Sequence, residues 1–229
     1  ALREASVRMT GAGVIARMHA GGAAIASSVD LDGNEFERLA LHPSDAVRQW
    51  ACYAVCDPAA GTSVEGRLQA LMRFADDPNM SVREAAWLAF RSTVAMDVEA
   101  MIVRLADVAA SPVANVRRFA VEVTRPRSVW GAHLPALKRR PETARPLLEK
   151  VKADTSRYVQ LAVGNWLNDA SRTRPDWVAQ VAAAWSVSDD RNTAFMVKRG
   201  TRTLTRLERT GVPRPSGSIP SLFAIGEAA

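Results

Sequence analysis

The chain has 229 residues, of which 48% are hydrophobic but only 6% aromatic, and it carries 30 Lys and Arg against 24 Asp and Glu. That length is enough for one large domain or two small ones, and the Ala-, Leu- and Val-rich composition favours helices over a β-sandwich. The net charge of +6 suits an anionic partner, and no apolar run approaches the ~18 residues of a membrane-spanning helix.

Residues 1–30 are rich in Ala and Gly, with Gly11, Gly13, Gly21 and Gly22 as breaks and 14–19 as a short helical piece. Arg8, Arg17 and His19 interrupt the apolar core that a signal peptide needs. Cys52 and Cys56 lie four apart in W-A-C-Y-A-V-C and fall on one helix face as small core residues. With no His or further Cys nearby they make a poor metal site. Reduced thiols of this kind point to a cytoplasmic setting.

From Asp30 onward the chain repeats itself. The segments S-D-A-V-R-Q-W-A, P-N-M-S-V-R-E-A-A and V-A-N-V-R-R-F-A align on Val47, Val82 and Val116, and a looser copy, T-S-R-Y-V-Q-L-A, aligns on Val159. The intervals are 35, 34 and 43 residues. Each copy opens with a polar or Pro-containing turn and continues as an apolar-periodic helix. A second helical pattern fills the intervals at 34–41, 64–74, 98–109 and 142–151. Helix pairs at this period predict an all-α, HEAT-like-repeat α-solenoid, with stacked antiparallel helix pairs lining a concave groove. After Asp169 the connection S-R-T-R-P leads to a helix over 176–185, and 189–209 supplies a final helix carrying the basic run K-R-G-T-R-T-L-T-R. From Gly211 the chain turns rich in Pro, Gly and Ser and reads as a linker or loosely docked tail. The organisation is an N-terminal segment (1–30), a repeat domain (31–210) and a tail (211–229).

The stretch from Asn115 to Trp130, N-V-R-R-F-A-V-E-V-T-R-P-R-S-V-W, carries the densest chemistry. Val116, Phe119, Ala120 and Val123 form one buried helix face, and Arg118 and Glu122 lie one turn apart beside it. Pro126 ends the helix near Arg125 and sends Arg127 and Trp130 into a loop. Arg48, Arg83 and Arg117 follow the aligned valines. With Arg91, Arg118, Arg125 and Arg127 they compose a stripe able to track a phosphate backbone. The plainer alternative is arginines that cap or salt-bridge the next repeat. Glu84, Glu122 and Asp169 are the candidate carboxylates. Spacing leaves open whether they converge, or serve as partners of Arg83, Arg91 and Arg118 and, for Asp169, as a turn former. Trp50, Trp87, Trp177 and Trp185 sit in periodic helices and belong to the core. Trp130 falls in a connection, where an exposed indole beside arginine can stack on sugar or base.

The run V-R-R-F-A-V-E-V-T-R-P-R-S-V-W, with R-Y-V-Q-L-A-V-G-N-W-L-N-D-A-S and the late R-G-T-R-T-L, resembles the AlkC/AlkD superfamily of HEAT-like DNA glycosylases, closer to the AlkC branch. The resemblance covers roughly residues 35–207. It implies excision of N-alkylated bases such as 3-methyladenine from duplex DNA, with no metal or cofactor. It makes Glu122 the principal catalytic carboxylate, Asp169 the second and Glu84 a weaker third. Trp130 and Trp166 border the lesion, and Arg125 and Arg127 hold phosphates. Arg118, Arg83 and Arg48 from the stripe and Arg202 from the late basic run complete the expected DNA contacts. Val121 and Val123 stand where the family has small residues, and Arg199 stands where a histidine is expected; these departures bear on substrate range. A cytoplasmic, nucleoid-associated monomer is expected. The alternatives are a DNA-structure-binding protein without activity and a protein-interaction scaffold.

Overall fold

The computed structural model describes residues 11–210; the first ten residues of the N-terminal segment and the 211–229 tail lie outside them. Among the described residues the chain is helical throughout its regular structure, with no strand. The expectation of an all-α, HEAT-like-repeat fold is borne out. Among the same residues no helix is long and apolar enough to cross a membrane.

The chain divides into two compact units between Asp97 and Val98. The first holds α1 (Val14–Ala26), α2 (Asn34–Ala40), α3 (Asp45–Cys56), α4 (Val64–Ala75) and α5 (Met80–Met96). Here α3 packs between α1 and α5, and α4 packs on α5, around Cys52, Leu71, Phe74, Val82 and Phe90. The second unit holds α6 (Val98–Val108), α7 (Ala114–Val123), α8 (Pro135–Arg139), α9 (Arg145–Val151), α10 (Arg157–Ser171), α11 (Pro175–Trp185), α12 (Arg191–Gly200) and α13 (Arg202–Thr210). In it α10 packs between α7 and α12, and α6 packs on α9. Its core includes Leu105, Phe119, Leu147, Trp166, Leu167 and Met196.

The aligned valines are each the third residue of a helix, and the side chain that follows each one reaches back to hold the turn before that helix. Val82, Val116 and Val159 are buried, and Val47 is half-buried. Arg48 donates from Nη1 to the carbonyls of His42 and Pro43, at 2.7 and 3.1 Å. Arg83 does the same to Asp77 and Pro78 at 2.7 and 3.0 Å, and Arg117 to Ser111 and Pro112 at 3.0 and 2.9 Å. In the looser fourth copy Gln160 keeps half the pattern, reaching the Asp154 carbonyl at 2.8 Å. The residue that supplies the first carbonyl also uses its side chain to accept from the backbone two residues on. His42, Asp77, Ser111 and Asp154 all do this, which stiffens the turn. Asp77 and Asp154 additionally pair with the arginine of the preceding copy, Arg48 and Arg117. The expected phosphate-tracking stripe is therefore corrected at Arg48, whose guanidinium is taken by the turn and by Asp77; at Arg83 one prong of the guanidinium holds a turn.

Two element boundaries also differ from expectation. Gly21 and Gly22, read as breaks, lie inside α1, which runs on to Ala26. They are small because α3 comes close. A Cβ on Gly21 would sit 2.5 Å from the Trp50 ring, and one on Gly22 would sit 2.5 Å from the Tyr53 Cβ. Gly22→Ala is accordingly expected to destabilise the protein by about 1–3 kcal/mol, as overpacking does, even though alanine is the better helix former. Thermal unfolding checks this, and an unchanged or raised midpoint would refute it. The single helix expected over 189–209 is two, α12 and α13, parted at Thr201. Gly200 lies against Leu167, where an added Cβ would meet the Leu167 Cβ at 2.7 Å. The Thr201 hydroxyl donates back to the Val197 carbonyl at 2.9 Å, a pattern that bends helices.

Candidate functional site

The site is built at the C-terminal ends of α7 and α10. Glu122 occupies the last turn of α7 and is 3% exposed, while Asp169 occupies the last turn of α10 and is 7% exposed. Asp169, which the sequence allowed as a turn former, is thus a buried helical carboxylate. Beyond α7 the Thr124 hydroxyl donates to the Ala120 and Val121 carbonyls, closing the helix end. Pro126 follows, and the residue before a proline is pushed away from helical geometry. Arg125 thereby leaves the helix and turns its guanidinium between the two acids. Its Nη1 meets Glu122 Oε2 at 3.0 Å, and its Nε and Nη2 meet Asp169 Oδ2 at 2.8 Å each. Glu122 Oε1 faces a second cation, Arg118 Nη2, at 3.4 Å.

Burial and charge oppose one another throughout this cluster. Burial works against the Arg125 charge, yet Glu122 and Asp169 outweigh it and raise its proton affinity above the ordinary value. Burial lifts the Asp169 carboxyl above the usual aspartate range, helped by Glu122 and only partly offset by Arg125 and Arg172. Arg202 goes the other way. Burial and then the neighbouring Arg199, with Arg172 and Arg125, depress it, against the pull of Asp169. Two carboxylates are thus set among five arginines (118, 125, 172, 199 and 202). The cluster retains positive charge for a polyanion.

The loop after Arg125 is short and tied. The Leu134 backbone N–H donates to the Pro126 carbonyl at 3.1 Å. Ser128 Oγ accepts from the N–H groups of Trp130 and Gly131 at 3.3 and 2.9 Å. Trp130 stands out from this loop with 62% of its surface exposed, beside the exposed Val129. Arg127 is half-buried, and its buried Nε has no hydrogen-bond partner.

Of the residues singled out from the sequence, the structure brings together Glu122, Asp169, Arg118, Arg125 and Arg202. Trp166 requires correction. Expected to border a lesion, it is fully buried, with Nε1 donating to the Thr124 carbonyl at 3.0 Å and its ring edge-to-face on Trp177 at 5.9 Å. Its work is to fasten α10 to the end of α7, behind Arg125. Glu84, with Arg48 and Arg83, belongs to the first unit, where its Oε2 accepts from Trp87 Nε1 at 3.0 Å. Sequence reasoning gave no role to Arg172, Asn165 or Tyr158. Asn165 Oδ1 accepts from Arg199 Nε at 3.1 Å and from Arg202 at 3.4 Å, and so gathers the two arginines. Arg118 lies over the Tyr158 ring, 4.1 Å from its centroid. Only the basic run around Arg199 was a usable signal.

Fold and site together define a HEAT-like helical-repeat protein that buries two carboxylates on one arginine. No family model matches the sequence. Over 118 residues, 52% of this chain, it is 39% identical to the uncharacterized protein YhaZ of Bacillus subtilis (strain 168). The match spans 33% of that curated relative's length. Among solved structures it is similar to the Pseudomonas fluorescens alkylpurine DNA glycosylase AlkC bound to DNA containing an abasic site analog. The TM-score is 0.77 at 23% identity, over 91% of this chain and 58% of that one. It is similar also to AlkD2 from Streptococcus mutans (TM-score 0.67, 20% identity, 88% of this chain and 95% of that one). A third likeness is to smu.31 from Streptococcus mutans UA159 (TM-score 0.66, 21% identity, 82% and 92%). These likenesses, at 20–23% identity, establish the helical-repeat fold that this chain shares with AlkC and AlkD2.

Proposed function

We propose that this chain is a DNA glycosylase that hydrolyses the N-glycosidic bond of cationic, 3-methyladenine-like N-alkylated bases in duplex DNA. The observation that carries this reading is the buried Glu122–Arg125–Asp169 cluster, set among further arginines and close in sequence to the exposed Trp130. An alkylated purine of this kind already carries positive charge, so the C1′–N bond can break with its electron pair going to the base and no acid is needed. The difficult species is the oxocarbenium-like sugar left behind. A carboxylate paired with two arginines, as Glu122 is, offsets that charge electrostatically. Water then adds to C1′ and gives up a proton, with Glu122 as the group that orients and accepts. Asp169, whose carboxyl burial raises above the ordinary aspartate range, serves to anchor Arg125 through Nε and Nη2. Trp130 supplies an aromatic face to sugar or base. The likeness to a DNA-bound AlkC is consistent with this assignment.

The pairing of both carboxylates with arginine also favours a second reading, a monomeric DNA-structure binder without chemistry. Incubation with methylated duplex DNA, followed by chromatography of the released bases, separates the two. Free methylated purine supports the glycosylase, whereas binding without release supports the binder.

Either reading requires salt-sensitive DNA binding. Arg172 and Arg202 are exposed arginines of the cluster. Replacing both by Gln is expected to weaken duplex affinity regardless of sequence and to lower the slope of log affinity against log salt by about 2. Titration between low and physiological salt checks this, and an unchanged slope would take both residues off the phosphate path.

A further inference from the structure

The two oxygens of Glu122 are held by arginines in different circumstances. Oε2 meets Arg125, which also serves Asp169. Oε1 meets Arg118, whose guanidinium lies over the Tyr158 ring, 4.1 Å from its centroid. The Arg118 side chain is 12% exposed and that of its partner Glu122 4%. A partly desolvated guanidinium over a phenol ring is attracted by its π face and loses much of its freedom to swing. Tyr158 lies on the first turn of α10, whose last turn carries Asp169, so one helix governs both ends of the cluster. Arg118 and Glu122 lie one turn apart on α7.

We propose that Tyr158 and Arg118 form a positioning pair for Glu122: the ring pins the guanidinium, and the guanidinium fixes the carboxylate's orientation for the glycosidic reaction. The proposal rests on the glycosylase reading above for its functional consequence and on the geometry of α7 and α10 for its structural one. It changes the role given to Arg118, from a DNA contact to a residue that acts through Glu122. It also gives Tyr158 a role.

The test uses Tyr158→Leu, which removes the ring, and Tyr158→Phe, which keeps it. In crystal structures of the two variants, Arg118 and Glu122 should shift or adopt second conformers in the Leu protein and keep their positions in the Phe protein. Unmoved Arg118 and Glu122 in the Leu protein overturn the proposal. In single-turnover assays on methylated duplex DNA, Tyr158→Leu should slow base release by about ten- to a hundredfold with DNA affinity intact, and Tyr158→Phe should restore the rate. Equal losses in both variants, or loss of rate and affinity together, also overturn it. If the wild-type protein releases no base, the glycosylase reading fails by itself and the crystallographic comparison still decides the positioning. Should Tyr158→Leu not fold, Arg118→Gln gives the same two measurements, with Glu122 released and the rate lowered at unchanged affinity.

Discussion

Glu122→Gln is expected to slow single-turnover release of methylated base by about 10²–10³-fold, the usual cost of losing a well-placed electrostatic stabiliser. DNA affinity should hold or rise slightly, because a negative charge that would repel the phosphates is removed. The glutamine has one acceptor oxygen where the glutamate offers Oε1 to Arg118 and Oε2 to Arg125. Some loss of thermal stability will therefore accompany the loss of rate, and the two must be measured separately. If Glu122 serves only as a salt-bridge partner, stability falls and excision does not. Asp169→Asn is the comparison. Excision abolished by Asp169→Asn and spared by Glu122→Gln would reverse the assignment of the central carboxylate.

Arg125→Met carries the other large effect, and it falls on folding. Glu122 and Asp169 are 3% and 7% exposed. Removing the cation they share leaves charge buried with too little compensation, which typically costs about 3–5 kcal/mol. The pH dependence has a definite sign. Burial, with Glu122 adding to it, raises the Asp169 carboxyl above its ordinary value while Arg125 pulls it down. A carboxyl raised in the folded state binds its proton more tightly there than in the unfolded chain. Its contribution to stability therefore declines as pH rises from the ordinary aspartate range through the raised midpoint. Without Arg125 that decline is steeper. The deficit of Arg125→Met relative to wild type should be smaller at about pH 5 than at about pH 7.5. Thermal unfolding at both values tests this, and a deficit independent of pH would mean that the carboxylates do not carry the effect.

The repeat architecture was legible because it rests on local periodicity. Val82, Val116 and Val159 recur in the first turn of apolar helices and are buried as their spacing requires. The pairing of Arg118 with Glu122 was legible for the same reason, since residues four apart on a helix are neighbours. What escaped depends on partners distant in sequence. Arg125 and Asp169 are separated by 44 residues, and no pattern within either segment says that one guanidinium will span both acids. Trp166 carries a motif-like neighbourhood, N-W-L-N-D, but its burial is set by Trp177 and by the Thr124 carbonyl 42 residues away. Gly21 and Gly22 read as breaks because propensity is local, whereas the reason for glycine there is the close passage of Trp50 and Tyr53 on α3.

The arginine-held turns make basicity a misleading gauge of this chain. Its isoelectric point is about 10.0. Yet Arg48, Arg83 and Arg117 each spend a prong on two turn carbonyls, and Arg48 and Arg117 spend the rest on aspartates. Lysine at all three positions would leave the isoelectric point almost where it is, but an ammonium is a point charge and lacks the planar fork that reaches carbonyl and carboxylate together. Two proteins indistinguishable by electrophoresis or ion exchange would then differ in whether their turns close. Ranking helical-repeat sequences for nucleic-acid binding by net charge scores such a pair alike. Counting only the cations, lysine included, that no turn carbonyl holds would tell them apart.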